Sequence, residues 1–205
     1  MALLLMLQSA PLAEARQAMA RGDYAAARSA INRALAASAA DPAARFLSGF
    51  LFYLENELPR AITELQLAAK LNPKDSRARL YLALSLESAG RMMEAETEYK
   101  AAVSLADSDP KGDPETHLAY ARYEMVTGDL DGAAELIGRA LKIAPKSRDA
   151  HFEHARLLLR LDKPQEAAEA AATALECAPG GIPEAQVRYV LSRARSLAAD
   201  SSNKR

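Results

Sequence analysis

Apolar and polar residues along this chain fall into a pattern that returns about every 34 residues. KLNPKDSRA at residues 70–78 comes back as KIAPKSRDA at 142–150, and a fainter echo, ECAPGGIPEA, places Pro179 34 residues after Pro145. With Pro73, Pro145 and Pro179 at position 32 of a repeating unit, five units begin near Gln8, Pro42, Ser76, Pro114 and Arg148. In that register position 8 is Ala15, Gly49, Ala83, Ala121 and Ala155. Position 20 is Ala27, Ala61, Ala95, Ala133 and Ala167, and position 27 is Ala34, Ala68, Ala102, Ala140 and Ala174. A small residue stands at every one. Repeats of this length signal stacked supersecondary units.

Each unit reads as two antiparallel helices with a short turn near positions 14 to 18, where Gly22, Gly90 and Gly128 occur. Small side chains at positions 8 and 20 let the two helices approach closely, and the alanine at 27 does the same for the following unit. Proline at 32 stops the second helix, because it has no N–H and disfavours helical geometry in the residue before it. The repeated phrase is therefore a helix stop followed by the next helix start. The units span about 8–41, 42–75, 76–113, 114–147 and 148–181, the third lengthened by four residues within DSDPKGD at 107–113. After Gly181, Val187, Val190, Leu191 and Leu197 recur at helical spacing over 182–199, which predicts a terminal capping helix. Residues 200–205 are expected to be a disordered tail.

Composition supports the helical reading. Half of the 205 residues are hydrophobic, mainly Ala and Leu, with 5% aromatics and no Trp, a mixture that favours helix over strand. The net charge of -1 gives no overall attraction to nucleic acid. The single Cys177 cannot form an intramolecular disulfide, so packing alone must hold the fold. No run reaches the roughly 18 apolar residues of a membrane span. The opening MALLLML has a six-residue apolar run with no preceding basic residue, so it is read as a lead-in that packs on the first repeat, with a signal remnant as the alternative. The corresponding locations are cytoplasmic, or periplasmic or secreted.

The spacing, the small residues at 8, 20 and 27 and the proline at 32 together resemble the tetratricopeptide repeat family over about residues 8–181. The resemblance implies an all-α, right-handed α-solenoid of antiparallel helix pairs. The chain departs from the family at position 4, where Pro11, Arg45, Arg79, His117 and His151 replace the usual Trp, and in the first unit, where Glu14 occupies position 7 and Pro42 closes the unit three residues late.

The same resemblance implies a concave groove lined by the first helix of each unit. Its positions carry Phe46, Phe50, Tyr53, Arg77, Leu84, Arg122, Met125, Phe152, Arg156 and Arg160 here, with Arg193 of the capping helix as an extension. The apolar and aromatic members come early and the arginines gather late, which suits a protein or peptide ligand with apolar and acidic segments. The Lys and Asn of the chaperone-binding carboxylate clamp are absent from positions 5 and 9. The expected function is a non-enzymatic protein-interaction scaffold. The alternative is a structural or oligomerising subunit of a larger assembly such as an envelope or secretion complex.

No catalytic, cofactor or metal site is expected. HFEH at 151–154 lacks the HExxH zinc spacing, so His151 and His154 are read as packing residues, and Cys177 as a small buried hydrophobe.

Overall fold

In a computed structural model the backbone is described for residues 2–109 and 111–203, and side chains for 10–109 and 111–200. The described residues form eleven helices and no strand. First helices of the units are α1 (Ala2–Ala20), α3 (Pro42–Leu54), α5 (Ser76–Ser88), α7 (Pro114–Thr127) and α9 (Arg148–Arg160). Second helices are α2 (Tyr24–Ala37), α4 (Leu58–Leu71), α6 (Met92–Asp107), α8 (Leu130–Ile143) and α10 (Pro164–Glu176), and α11 (Glu184–Asn203) follows them. Four first helices begin at the unit boundaries read from the sequence. The first helix starts earlier, at Ala2, and carries Pro11 inside it. Of the expected tail, residues up to Asn203 continue α11, and 204–205 lie outside the described residues. The side chains of the apolar lead-in, residues 2–7, also lie outside them.

Two compact units result, residues 1–105 and 106–205. In the first, α1 packs on α2, α3 on α4, and α4 on α5. In the second, α7 packs on α8, α9 on α10, and α10 on α11. Every small residue at positions 8, 20 and 27 is buried, in keeping with close helix approach. Gly49 shows how close: a Cβ there would meet Leu65 Cγ at 2.5 Å and the Leu65 backbone nitrogen at 3.0 Å. Leu65 is fully buried and occupies the space that a side chain at position 49 would need.

The turn inside each unit obeys one backbone rule. Position 15 has positive φ in all five units: Gly22 (73°), Asn56 (59°), Gly90 (75°), Gly128 (102°) and Asp162 (56°). Gly, Asn and Asp are the residues that tolerate the left-handed region at least cost. In four units the next residue donates to the carbonyl five back, Asp23 to Ala18, Glu57 to Phe52, Arg91 to Leu86 and Lys163 to Leu158, each at 2.8 to 2.9 Å. This bond satisfies a helix-end carbonyl, as left-handed caps do.

The junction between units is also built locally. Pro73 and Pro145 lie just beyond α4 and α8, and the next helix is capped two residues later by Asp75 or Ser147. Asp75 accepts from the Arg77 N–H at 3.1 Å and Ser147 from the Ala150 N–H at 3.2 Å. Asp41 and Asp113 cap α3 and α7 in the same way. Each such cap contributes about 1 kcal/mol.

Position 4 shows what stands in for the missing Trp. Arg45 reaches Glu64 and Arg79 reaches Glu98, each at 2.9 Å, so an ion pair bridges the two helices of its unit. His117 is fully buried, with Nδ1 2.8 Å from the Asp113 carbonyl and Nε2 2.8 Å from Asp107. Asp107 also accepts from Arg139, which ties α8 to the lengthened loop. His151 contacts the Pro145 carbonyl at 2.9 Å.

Candidate functional site

In the first of the two compact units, residues 1–105, α3 and α5 bring four aromatic rings together. Phe46 and Phe50 lie one turn apart on α3 with nearly parallel rings 6.1 Å apart. Tyr81 of α5 enters between the turns, with its centroid 5.9 Å from Phe46, 4.6 Å from Phe50 and 5.8 Å from Tyr53. These separations and tilts are those aromatic pairs favour. Phe46 is buried, while Phe50, Tyr53 and Tyr81 keep part of their surface exposed. The guanidinium of Arg77, one turn before Tyr81, lies 5.5 Å over the Phe46 ring, a cation–π contact. Leu84, further along α5, is half-buried.

In the second unit the predicted arginines have different employment. Glu153 is 1% exposed, and both Arg122 (3.4 Å) and Arg156 (2.8 Å) contact its carboxylate. Buried charge is tolerable when it is paired, and these two guanidinium groups do that for Glu153. Arg156 also covers the Phe152 ring at 5.8 Å. Arg160 donates to the Met125 carbonyl, linking α9 to α7. Met125 and Phe152 are buried among these helices.

Arg156 and Arg160 border a pocket of roughly 310 Å³ between α7, α9 and α11. Met125, Leu159 and Val190 give it apolar lining, and Arg193 adds a third guanidinium. Val126 (68% exposed) and Tyr189 (66% exposed) stand at its edge as solvent-facing apolar side chains. Arg122 lies apart from this pocket and opens onto a different hollow, with Glu115 and Asp149.

The wall supplied by α11 is positioned by the turn before it. Asp149 accepts from the Gly181 and Ile182 N–H groups at 2.9 Å each, and Arg148 donates to the Cys177 carbonyl at 3.1 Å. A Cβ on Gly180 would fall 2.5 Å from Asp149 Oδ1, so a larger residue there would push aside the carboxylate that holds the turn. Below the turn Val187, Val190, Leu191 and Ala194 join the α9–α10 core. Tyr189 and Arg193, one turn apart on the other face, are left outward.

Sequence reasoning placed Phe46, Phe50, Tyr53 and Arg77 in one site, and they are together. It did not single out Tyr81, which organises them, or Val126 and Tyr189, and it placed Val190 only on the apolar face of the capping helix. The spacing of Arg77 and Tyr81, and of Tyr189 and Arg193, at i and i+4 was the available signal. Among the described residues no group of three His, Cys, Asp or Glu side chains could hold a metal ion, and no helix is long and apolar enough to cross a membrane. His154 is half-buried, and burial first and the neighbouring His151 second hold its imidazole below the ordinary value, with Glu166 opposing.

Comparison with known proteins agrees with the repeat. The tetratricopeptide repeat family model matches residues 12–75, 56–112 and 118–182, and the chain belongs to that family. Solved structures of similar fold include TTC0263, a thermophilic repeat protein of Thermus thermophilus, at 21% identity over 91% of this chain and 98% of that one, with a TM-score of 0.73. PilF of Pseudomonas aeruginosa gives 16% identity, 97% and 87% coverage and a TM-score of 0.82. Yeast Tom70 gives 16%, 95% and 40% coverage and 0.78. At these identities the likeness is one of fold. No curated protein sequence matches the chain. Tetratricopeptide folds generally serve as non-enzymatic scaffolds for protein–protein interaction.

Proposed function

We propose that this chain binds extended segments of partner polypeptides on the first-helix faces of its repeats. The observation that carries the reading is the aromatic group gathered by Tyr81, in which Phe50 and Tyr53 remain partly open to solvent. Packed against each other, these rings have little freedom left to lose on binding, and rigid aromatic surface supplies much of the energy at protein interfaces. Arg77 above Phe46 offers a cation at the edge of that surface. The occupant that fits is a segment with aliphatic or aromatic side chains. The arginine-rich face of the second unit offers a separate place for acidic residues.

The test is selection of peptides from a random display library on the folded protein, followed by Phe50→Ala with Tyr53→Ala. The expected result is at least a tenfold loss of affinity for the apolar class of selected peptides, about the weight of one anchor residue. Full affinity in a variant whose helical signal is unchanged would remove the aromatic face from consideration.

A further inference from the structure

We propose that the pocket between α7, α9 and α11 is a carboxylate site for an acidic, aliphatic peptide segment, with Arg193 as its specificity-determining residue. The proposal rests on the scaffold reading and assigns a ligand chemistry to one part of it. Three guanidinium groups, from Arg156, Arg160 and Arg193, line the pocket, and no carboxylate does. Two other hollows of the same unit are supplied with acid of their own, Glu115 and Asp149 in one and Asp107 and Asp109 in the other. This pocket is therefore the one of the three whose lining is purely cationic.

The three arginines are not equivalent. Arg156 is compensated by buried Glu153, which it shares with Arg122. Arg160 donates to a neutral carbonyl, which orients the side chain without cancelling its charge. Arg193 has no hydrogen bond or ion pair among the described residues. Two positive charges thus converge on one concavity without a counter-charge. A carboxylate entering there meets planar donor forks suited to bidentate pairing.

The rest of the pocket sets the ligand's shape. Met125 and Val190 are buried, Leu159 is half-buried, and Val126 and Tyr189 stand exposed at the rim. That apolar frame accepts a leucine-sized side chain beside the acid, and its roughly 310 Å³ is at the small end of ligand sites. A cationic lining framed by apolar surface favours a peptide carrying both a carboxylate and an aliphatic side chain over a simple anion, which has the charge but no apolar part. The carboxylate could come from a glutamate or aspartate side chain or from a chain terminus, and both present the same two oxygens.

Fluorescence anisotropy with three labelled octapeptides tests this. The first is acetylated, amidated and alternates glutamate with leucine; the second replaces glutamate by glutamine; the third is the glutamine peptide with a free carboxyl terminus. The expected result is saturable binding of the first, little of the second, and a roughly tenfold loss for the first on Arg193→Ala, as for a charge-assisted hydrogen bond. Arg193→Lys should retain part of the affinity, because it keeps the charge and loses the fork. Raising salt from about 50 to 300 mM should weaken the native protein more than Arg193→Ala. Binding of the third peptide in place of the first, still sensitive to Arg193→Ala, supports the site and makes the chain terminus the source. Equal binding of all three, no binding by either carboxylate peptide up to about 1 mM, or indifference to Arg193→Ala in folded protein would overturn it. Loss on Phe50→Ala with none on Arg193→Ala would move the acidic peptide to the first unit, refuting this site while leaving the scaffold reading intact.

Discussion

Arg156 donates to Glu153 at 2.8 Å, and the carboxylate it meets is almost wholly buried. An arginine on the first-helix face is thus partly a structural counter-ion. The same carboxylate draws in Arg122 from the preceding first helix, so one buried negative charge joins α7 to α9. A substitution at either arginine therefore disturbs the fold as well as the surface, and Arg193 on α11, outside this ion-pair group, is the cleaner probe of the proposed binding.

Replacing both Arg122 and Arg156 by alanine should therefore destabilise the fold. Breaking a buried pair costs about 3 to 5 kcal/mol, and about 2 kcal/mol is expected here because both guanidinium groups are roughly two-fifths exposed. Glu153→Gln in that background should recover much of the loss by removing the stranded charge. Urea unfolding of the three proteins checks this. A double alanine variant with an unchanged midpoint would mean that Glu153 finds another cation.

Gly49→Ala separates helix propensity from packing. In an exposed helix the change gains about 1 kcal/mol. At Gly49 the new Cβ would lie 2.5 Å from Leu65 Cγ and 3.0 Å from the Leu65 backbone, so the helices must part. Overpacking costs about 1 to 3 kcal/mol, and a net loss is expected. Ala133→Leu, at a site with no exposed surface, should lose a similar amount. Stabilisation of Gly49→Ala in denaturant melts would show that α3 and α4 can separate at little cost.

These two sites also show what was legible in the sequence. Gly49 and Ala133 were readable because a close helix contact admits only small side chains, so the constraint appears as residue type at fixed spacing. Pro73 and Pro145 were readable for the same reason, as backbone stops. Tyr81 and Glu153 were not. Their roles depend on which side chain of a neighbouring helix they meet, and periodicity fixes the face of a helix without naming the partner across it. The turn lay between these cases: Gly22, Gly90 and Gly128 signalled it, whereas Asn56 and Asp162 perform the same backbone task under another identity.

That equivalence predicts the effect of exchanging them. Asn56→Gly and Asp162→Gly should be neutral or slightly stabilising, since both positions hold φ near +60° and glycine meets no Cβ penalty there. Asn56→Ala and Asp162→Ala should each cost about 1 kcal/mol, the usual penalty for a Cβ in the left-handed region. Thermal melts of the four variants decide between backbone and side-chain roles. If alanine and glycine behave alike at either position, the turn does not depend on its left-handed residue.

Burial, reinforced by His151, lowers the His154 imidazole below its ordinary value of about 6.5, while Glu166 pulls the other way. Between the folded and unfolded values the unfolded chain binds more protons at this residue, so its contribution to stability rises with pH through that window. Stability from this residue is therefore complete above about pH 6.5 and declines as the pH falls below it. His154→Gln removes the titrating group while keeping a polar side chain. Urea midpoints measured between about pH 7.5 and 5.5 should fall less in His154→Gln than in the native protein. Parallel curves would show that His154 takes up its proton equally well folded and unfolded, and that the half-buried face of α9 admits enough water to solvate the imidazolium.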